Sequence, residues 1–256
     1  MESITPAVAR RMLAFNTSNR PLSKQHVASL AREMKCGRWK VNGDTIVLNG
    51  TRLIDGQHRL KAVEESGVTI DALVVYGVSS SAFDTIDVGR RRSGGDTFST
   101  MGEINANALA ATLRVVDAYM SRRFSQAHKL TNTELQQLLE RYPDIRHFVN
   151  KHKTRVFKLA PGSVLCACHY LFAMVDEDQA DQFISDLVSG QNLQAGDPVY
   201  LLRARLMDRV LSKIKSEPDY TMALIIKAWN ARRAGKSLRF LHYRIGGKHE
   251  DFPTIE

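Results

Sequence analysis

The run Arg52-Leu53-Ile54-Asp55-Gly56-Gln57-His58-Arg59-Leu60-Lys61-Ala62 constrains this chain most, because a short apolar strand turns on a single glycine straight into an amphipathic helix. A helix that starts there leaves its first amide N–H groups unpaired and gathers the positive end of its dipole at one point. An imidazole, His58, and a guanidinium, Arg59, fall in the first turn. Gly56 lets the backbone approach a ligand closely, and the planar fork of Arg59 matches phosphate oxygens. The junction is laid out for an anion. Asp55, closing the strand, has four open roles: capping the helix, orienting His58, holding Mg²⁺ through phosphate oxygens, or acting as a general base. The plainer alternative is a strand-to-helix turn whose Asp caps and whose Arg pairs at the surface.

Ile54 to Ala62 resembles the phosphate box of the ParB/sulfiredoxin superfamily, with Gly56, His58 and Arg59 on the box positions. Leu30-Ala31-Arg32-Glu33-Met34 and Gly37 resemble the helix and glycine that precede it, and Ile70 to Tyr76 the strand that follows, so the likeness runs from about Asn16 to Ser99. The resemblance implies a nucleoside triphosphate, ATP or CTP, bound with Mg²⁺ through Gly56, Gln57, His58 and Arg59. It also brings Asn19 and Arg20, in the loop before the preceding helix, toward the nucleotide. The superfamily holds DNA partition proteins that hydrolyse CTP, sulfiredoxins that use ATP, and small serine kinases. Gln57 stands where a sulfiredoxin carries its cysteine, which removes the nucleophile of that chemistry. The kinase-like wording Asp55-Gly56-Gln57-His58-Arg59 makes Asp55 and Glu33 the candidate catalytic carboxylates, and an NTPase or phosphotransferase activity stays open.

The rest of the chain reads in two parts. Thr5-Pro6 starts a helix to Phe15, and Ser23 caps a second that ends near Gly37. Strands fit Thr45 to Leu48, Arg52 to Ile54 and Ile70 to Tyr76, with the box helix Gln57 to Ser66 between the last two and a further helix at Ser80 to Ile86. Beyond Gly102 strand signals give way to helical periodicity, broken at Pro143, Pro161-Gly162, Gly190, Gly196-Asp197-Pro198, Pro218 and Gly235. The expectation is an α+β fold: residues 1–102 as a small ParB/sulfiredoxin-like domain with a short mixed sheet, and 103–256 as an all-helical, basic region.

Basic residues outnumber acidic ones by nine, and they cluster. Lys227, Arg232, Arg233, Lys236, Arg239, Arg244 and Lys248 lie in a stretch without an acid, interleaved with Trp229, Phe240 and Tyr243. Lys151, Lys153 and Arg155 belong to a second acid-free run, and Arg90, Arg91 and Arg92 to a glycine-flanked loop. Neutralising phosphates while stacking bases calls for this mixture, so DNA is the expected partner, bound through its backbone. Solvated helix faces are the competing account.

Met1 to Pro6 has no apolar signal segment, and no run approaches the ~18 apolar residues of a membrane span, so a cytosolic protein is expected. The three cysteines form no disulfide framework, and Cys166-Ala167-Cys168-His169 sits in an apolar run that reads as core. No histidine shows ligand spacing, so no metal centre is expected beyond nucleotide-bound Mg²⁺. Three functions remain: a nucleotide-binding protein acting on DNA, a phosphotransferase or nucleic-acid-modifying enzyme of the same fold, and a non-catalytic DNA-binding adaptor. A homodimer is compatible with each.

Overall fold

The computed structural model describes residues 1–256 except 18, 51, 80–91, 124–129, 153–158, 192, 215–216 and 245–249. Among the described residues the chain is α+β, with eleven helices and one four-stranded mixed sheet. The expected helix Ser80 to Ile86 and the residues Arg90, Arg91, Lys153 and Arg155 lie outside the described residues.

Two compact units divide the chain, Met1–Arg91 and Arg92–Glu256. In the first, β1 (Glu2–Ile4), β2 (Thr45–Asn49), β3 (Arg52–Asp55) and β4 (Ile70–Tyr76) lie in the order β1-β4-β2-β3. β4 runs parallel to β2 and antiparallel to β1, and β2 pairs antiparallel with β3 through a register shift at Val47/Leu48. Three helices accompany the sheet: α1 (Pro6–Leu13), α2 (Lys24–Lys35) and α3 (Gln57–Ser66). Thr5 and Ser23 cap α1 and α2 by accepting from the amides of Val8 and His26, as Ser/Thr side chains do when they satisfy unpaired first-turn donors. α1 and α2 both pack on α3. Ile4, Val27, Met34, Ile46, Leu53, Leu60 and Val63 fill the core.

The second unit is helical throughout its described residues: α4 (Gly94–Thr100), α5 (Ala106–Met120), α6 (Asn132–Arg141), α7 (Ile145–Lys151), α8 (Gly162–Ala173), α9 (Glu177–Ser189), α10 (Pro198–Leu211) and α11 (Pro218–Arg233). α8 and α11 are buried along most of their length, and Trp229 of α11 stacks on Phe172 of α8 at 4.3 Å with Phe183 edge-on. Cys166 and Cys168 are core residues here, as their apolar surroundings indicated.

The two units meet at Arg91/Arg92, ahead of Gly102, where the sequence suggested a break. Ser93-Gly94-Gly95-Asp96 reads as loop in sequence, yet Ser93 and Asp96 form a capping box that starts α4. A Cβ on Gly95 would come within 1.8 Å of Asn107 Oδ1, so the glycine is there for the close approach of α4 to α5. Phe98 then joins the helical core. Among the described residues no helix is long and apolar enough to cross a membrane.

Candidate functional site

Gly56 is the N-cap of α3, in the left-handed region at φ 97°, and no side chain caps the helix there. A Cβ at this position would lie 3.0 Å from Ile46 Cγ1 and 3.1 Å from Ile46 Cα, so strand β2 backs the turn with no room to spare. The side chain of Arg59, one turn into α3, is only 13% exposed and donates to Asp55 Oδ2 at 3.0 Å. Its other terminal nitrogen lies 3.5 Å from Asp44 Oδ2, in the turn before β2. The guanidinium is thus held between two carboxylates beside an uncapped helix start. Of the four roles open to Asp55, capping is not the one it takes; it orients Arg59.

His58 Nε2 accepts a hydrogen bond from the Ser23 amide at 3.1 Å. That nitrogen is therefore unprotonated, and the neutral ring carries its proton on Nδ1. The ring of His26 packs beside it at 5.1 Å. His58 joins the first turn of α3 to the cap of α2.

Gln57 is buried, and both ends of its amide are engaged. Oε1 accepts from Asn16 Nδ2 at 3.0 Å, and Nε2 donates to the Arg20 carbonyl at 2.9 Å. Asn19 Nδ2 completes the tie by donating to Asn16 Oδ1 at 2.7 Å and to the Leu53 carbonyl at 2.8 Å. Asn16, Asn19 and Arg20 are thereby tied to the β3–α3 turn, Arg20 through its main chain. Gln57 shapes the site from below. Replacing Gln57 by Ala leaves the Asn16 amide and the Arg20 carbonyl without these partners, and is expected to destabilise the first unit by about 1–3 kcal/mol. Hydrogen exchange should show residues 14–23 losing protection while α8 keeps its own; unchanged protection in both would show the loop is held by other contacts.

Glu33 is engaged elsewhere. Its two oxygens take the Arg38 guanidinium at 2.7 and 3.1 Å, a bidentate clasp across the turn that ends α2. Trp39 packs against the core and donates from Nε1 to the Asp71 carbonyl at 3.0 Å, the role of a core anchor. Asp44 and Asn16 are the site residues that sequence reasoning missed. The available signal for Asp44 was the β2–β3 hairpin, which carries the residue before β2 toward the residues after β3.

In the second unit the basic clusters are less free than their sequence suggests. Lys227 pairs with Glu250, Arg232 with Asp186 at 2.5 Å, Lys151 with Asp181 at 2.6 Å, and Arg233 donates to the Glu256 main-chain oxygen. Acids distant in sequence are close in space. Arg92, Lys236 and Arg239 remain exposed and form no ion pair among the described residues.

The second unit also holds an array that no sequence spacing announced. His169, 1% exposed, bonds through Nε2 to Asp181 Oδ1 at 2.7 Å and through Nδ1 to His152 Nε2 at 2.5 Å. Burial, then the neighbouring His152, pushes His169 down to about 4. His152 is lowered as well, by burial and then by the Lys151 charge. Among the described residues no cluster of His, Cys, Asp and Glu is arranged to hold a metal ion.

No family model, no curated protein and no solved structure matched this chain when compared with it.

Proposed function

We propose that this is a ParB-like nucleotide-binding protein acting on DNA, with the first unit holding a nucleoside triphosphate and Mg²⁺ and the second holding the nucleic-acid backbone. One observation carries the reading: Arg59 is clamped by Asp55 and Asp44 beside the uncapped start of α3, behind a glycine that leaves the backbone bare. An anion placed there meets the start of α3, which no side chain caps, and a preoriented guanidinium, and pre-orientation lowers the ordering cost of binding. The residues present fit a Mg²⁺–triphosphate, since Asp55 and Asp44 supply the hard oxygens that the ion prefers, directly or through water. Bound there, Mg²⁺ would neutralise phosphate charge. Asp55 is the better candidate general base, because both oxygens of Glu33 are closed by Arg38.

Calorimetric titration with ATP, CTP, GTP and UTP in Mg²⁺, with and without duplex DNA, tests the assignment. One nucleotide is expected to bind, and Arg59→Ala to weaken it at least about tenfold through loss of charge-assisted hydrogen bonds, with the circular dichroism of the protein unchanged. Undiminished affinity in that variant would sink the site. Failure of all four nucleotides to bind would reduce the junction to a structural or DNA-phosphate element and favour the adaptor reading.

A further inference from the structure

Leu201, Arg205 and Asp208 on α10, with Arg239, Phe240 and His242 in the segment after α11, line a groove of about 500 Å³. Its charge is one-sided. Two guanidiniums face a single carboxylate, and Asp208 stands 3.8 Å from Arg205, at the outer limit of an ion pair between two well-exposed side chains. Arg239 is exposed and without an acidic partner among the described residues. Between these cations Phe240 is 80% exposed, a phenyl ring held in water although burial would stabilise it. An exposed ring flanked by arginines is the arrangement on which unpaired bases stack while their phosphates are neutralised.

We propose that this groove binds single-stranded nucleic acid, with Phe240 stacking one base and Arg205 and Arg239 taking the flanking phosphates. The proposal rests on the nucleic-acid reading above and deepens it by naming the strand state. Stacking on Phe240 requires a base that is not paired, and a groove of this volume takes a small-molecule-sized group such as one nucleotide rather than a duplex. Phosphates supply the negative charge that the groove lacks. A second copy of this chain would bring the same cationic surplus against itself.

The test is fluorescence anisotropy of the full chain at fixed salt, with a labelled thymidine strand of about 12 nucleotides, within the site sizes usual for strand-tracking grooves, and with a duplex of the same length. The strand is expected to bind more tightly than the duplex. Phe240→Ala should weaken strand binding about tenfold, in line with the ~1–3 kcal/mol of one stacked base, and leave duplex binding unchanged; Phe240→Tyr should keep it. Arg205→Ala with Arg239→Ala should weaken strand binding and flatten its dependence on salt. Phe240 lies outside the core, so its replacement leaves the fold intact. Strand affinity unchanged in Phe240→Ala overturns the proposal. If the duplex alone binds and Phe240→Ala is silent, the groove is wrong and the wider DNA reading stands; if neither nucleic acid binds, both fall. A change from dimer to monomer in Phe240→Ala by light scattering, with strand affinity untouched, makes the groove a self-contact and also overturns it.

Discussion

Gly56→Ala is expected to destabilise the first unit by about 2–5 kcal/mol, more than its one methyl group suggests. Two costs add. The left-handed conformation at φ 97° costs an L-residue about 1–2 kcal/mol. The new Cβ would also press on Ile46, at 3.0 Å from its Cγ1 and 3.1 Å from its Cα, and overpacking of that kind costs about 1–3 kcal/mol. The backbone atom matters most, since β2 pairs on both sides, with β3 and β4, and cannot retreat alone. Gly67 supplies the control: it ends α3 at φ 72°, but a Cβ there meets nothing within 4 Å. Gly67→Ala should therefore show only the conformational part. Denaturant unfolding of both variants, with hydrogen exchange over residues 45–66 to assign the loss to this unit, separates the two costs. Equal losses would mean that Ile46 yields, and that the close fit behind the turn is not what fixes glycine at position 56.

What could be read from sequence was what is local. The limits of α3 follow from glycines at both ends, the starts of α1 and α2 from Thr5-Pro6 and Ser23, and the breaks between later helices from prolines and glycines. Asp55, Gly56 and Arg59 could be placed together because four consecutive helical positions make one turn. The failures share one cause, which is distance along the chain. β1 has three residues and exists because β4, some 70 positions later, pairs with it. α4 was hidden by glycines whose purpose is contact with Asn107 rather than a turn. Gln57, named from sequence as a ligand residue, is bonded to Asn16 and to the Arg20 carbonyl, and Glu33, named as a base, to Arg38, partners that local spacing does not announce. The acid-free basic run was the most misleading signal. Asp186 and Glu250 neutralise part of it, which a scan for local charge cannot detect and which moves attention to Lys236 and Arg239.

The second unit is expected to lose stability as pH falls from about 6.5, well before its carboxylates titrate. His169 is held neutral in the fold at about 4, below the 6.5 of an exposed imidazole, because burial and the adjoining His152 penalise its charged form. The unfolded chain then binds the proton more readily than the folded one, so the stabilisation is complete above pH 6.5 and declines as pH drops toward 4. A tenfold difference in proton affinity is worth about 1.4 kcal/mol, so His169 alone accounts for about 3 kcal/mol across that window. His152 adds in the same direction, since its own value is lowered. Glu103, bonded to Arg146, and Asp181, bonded to Lys151, also sit below their ordinary values, but their stabilisation is lost only below about pH 4, the carboxylate range. The two windows are distinct. Trp229 lies in this unit's core and Trp39 packs in the other unit, so Trp229 fluorescence in a Trp39→Phe background reports on the second unit during urea unfolding at successive pH values. His169→Gln should be less stable at pH 7 and fall less steeply between pH 6.5 and 4.5, keeping only the part of the slope that His152 supplies. A slope as steep in the variant as in the parent would show that other groups drive the acid response, and would leave the array of Asp181, His169 and His152 as a packing arrangement only.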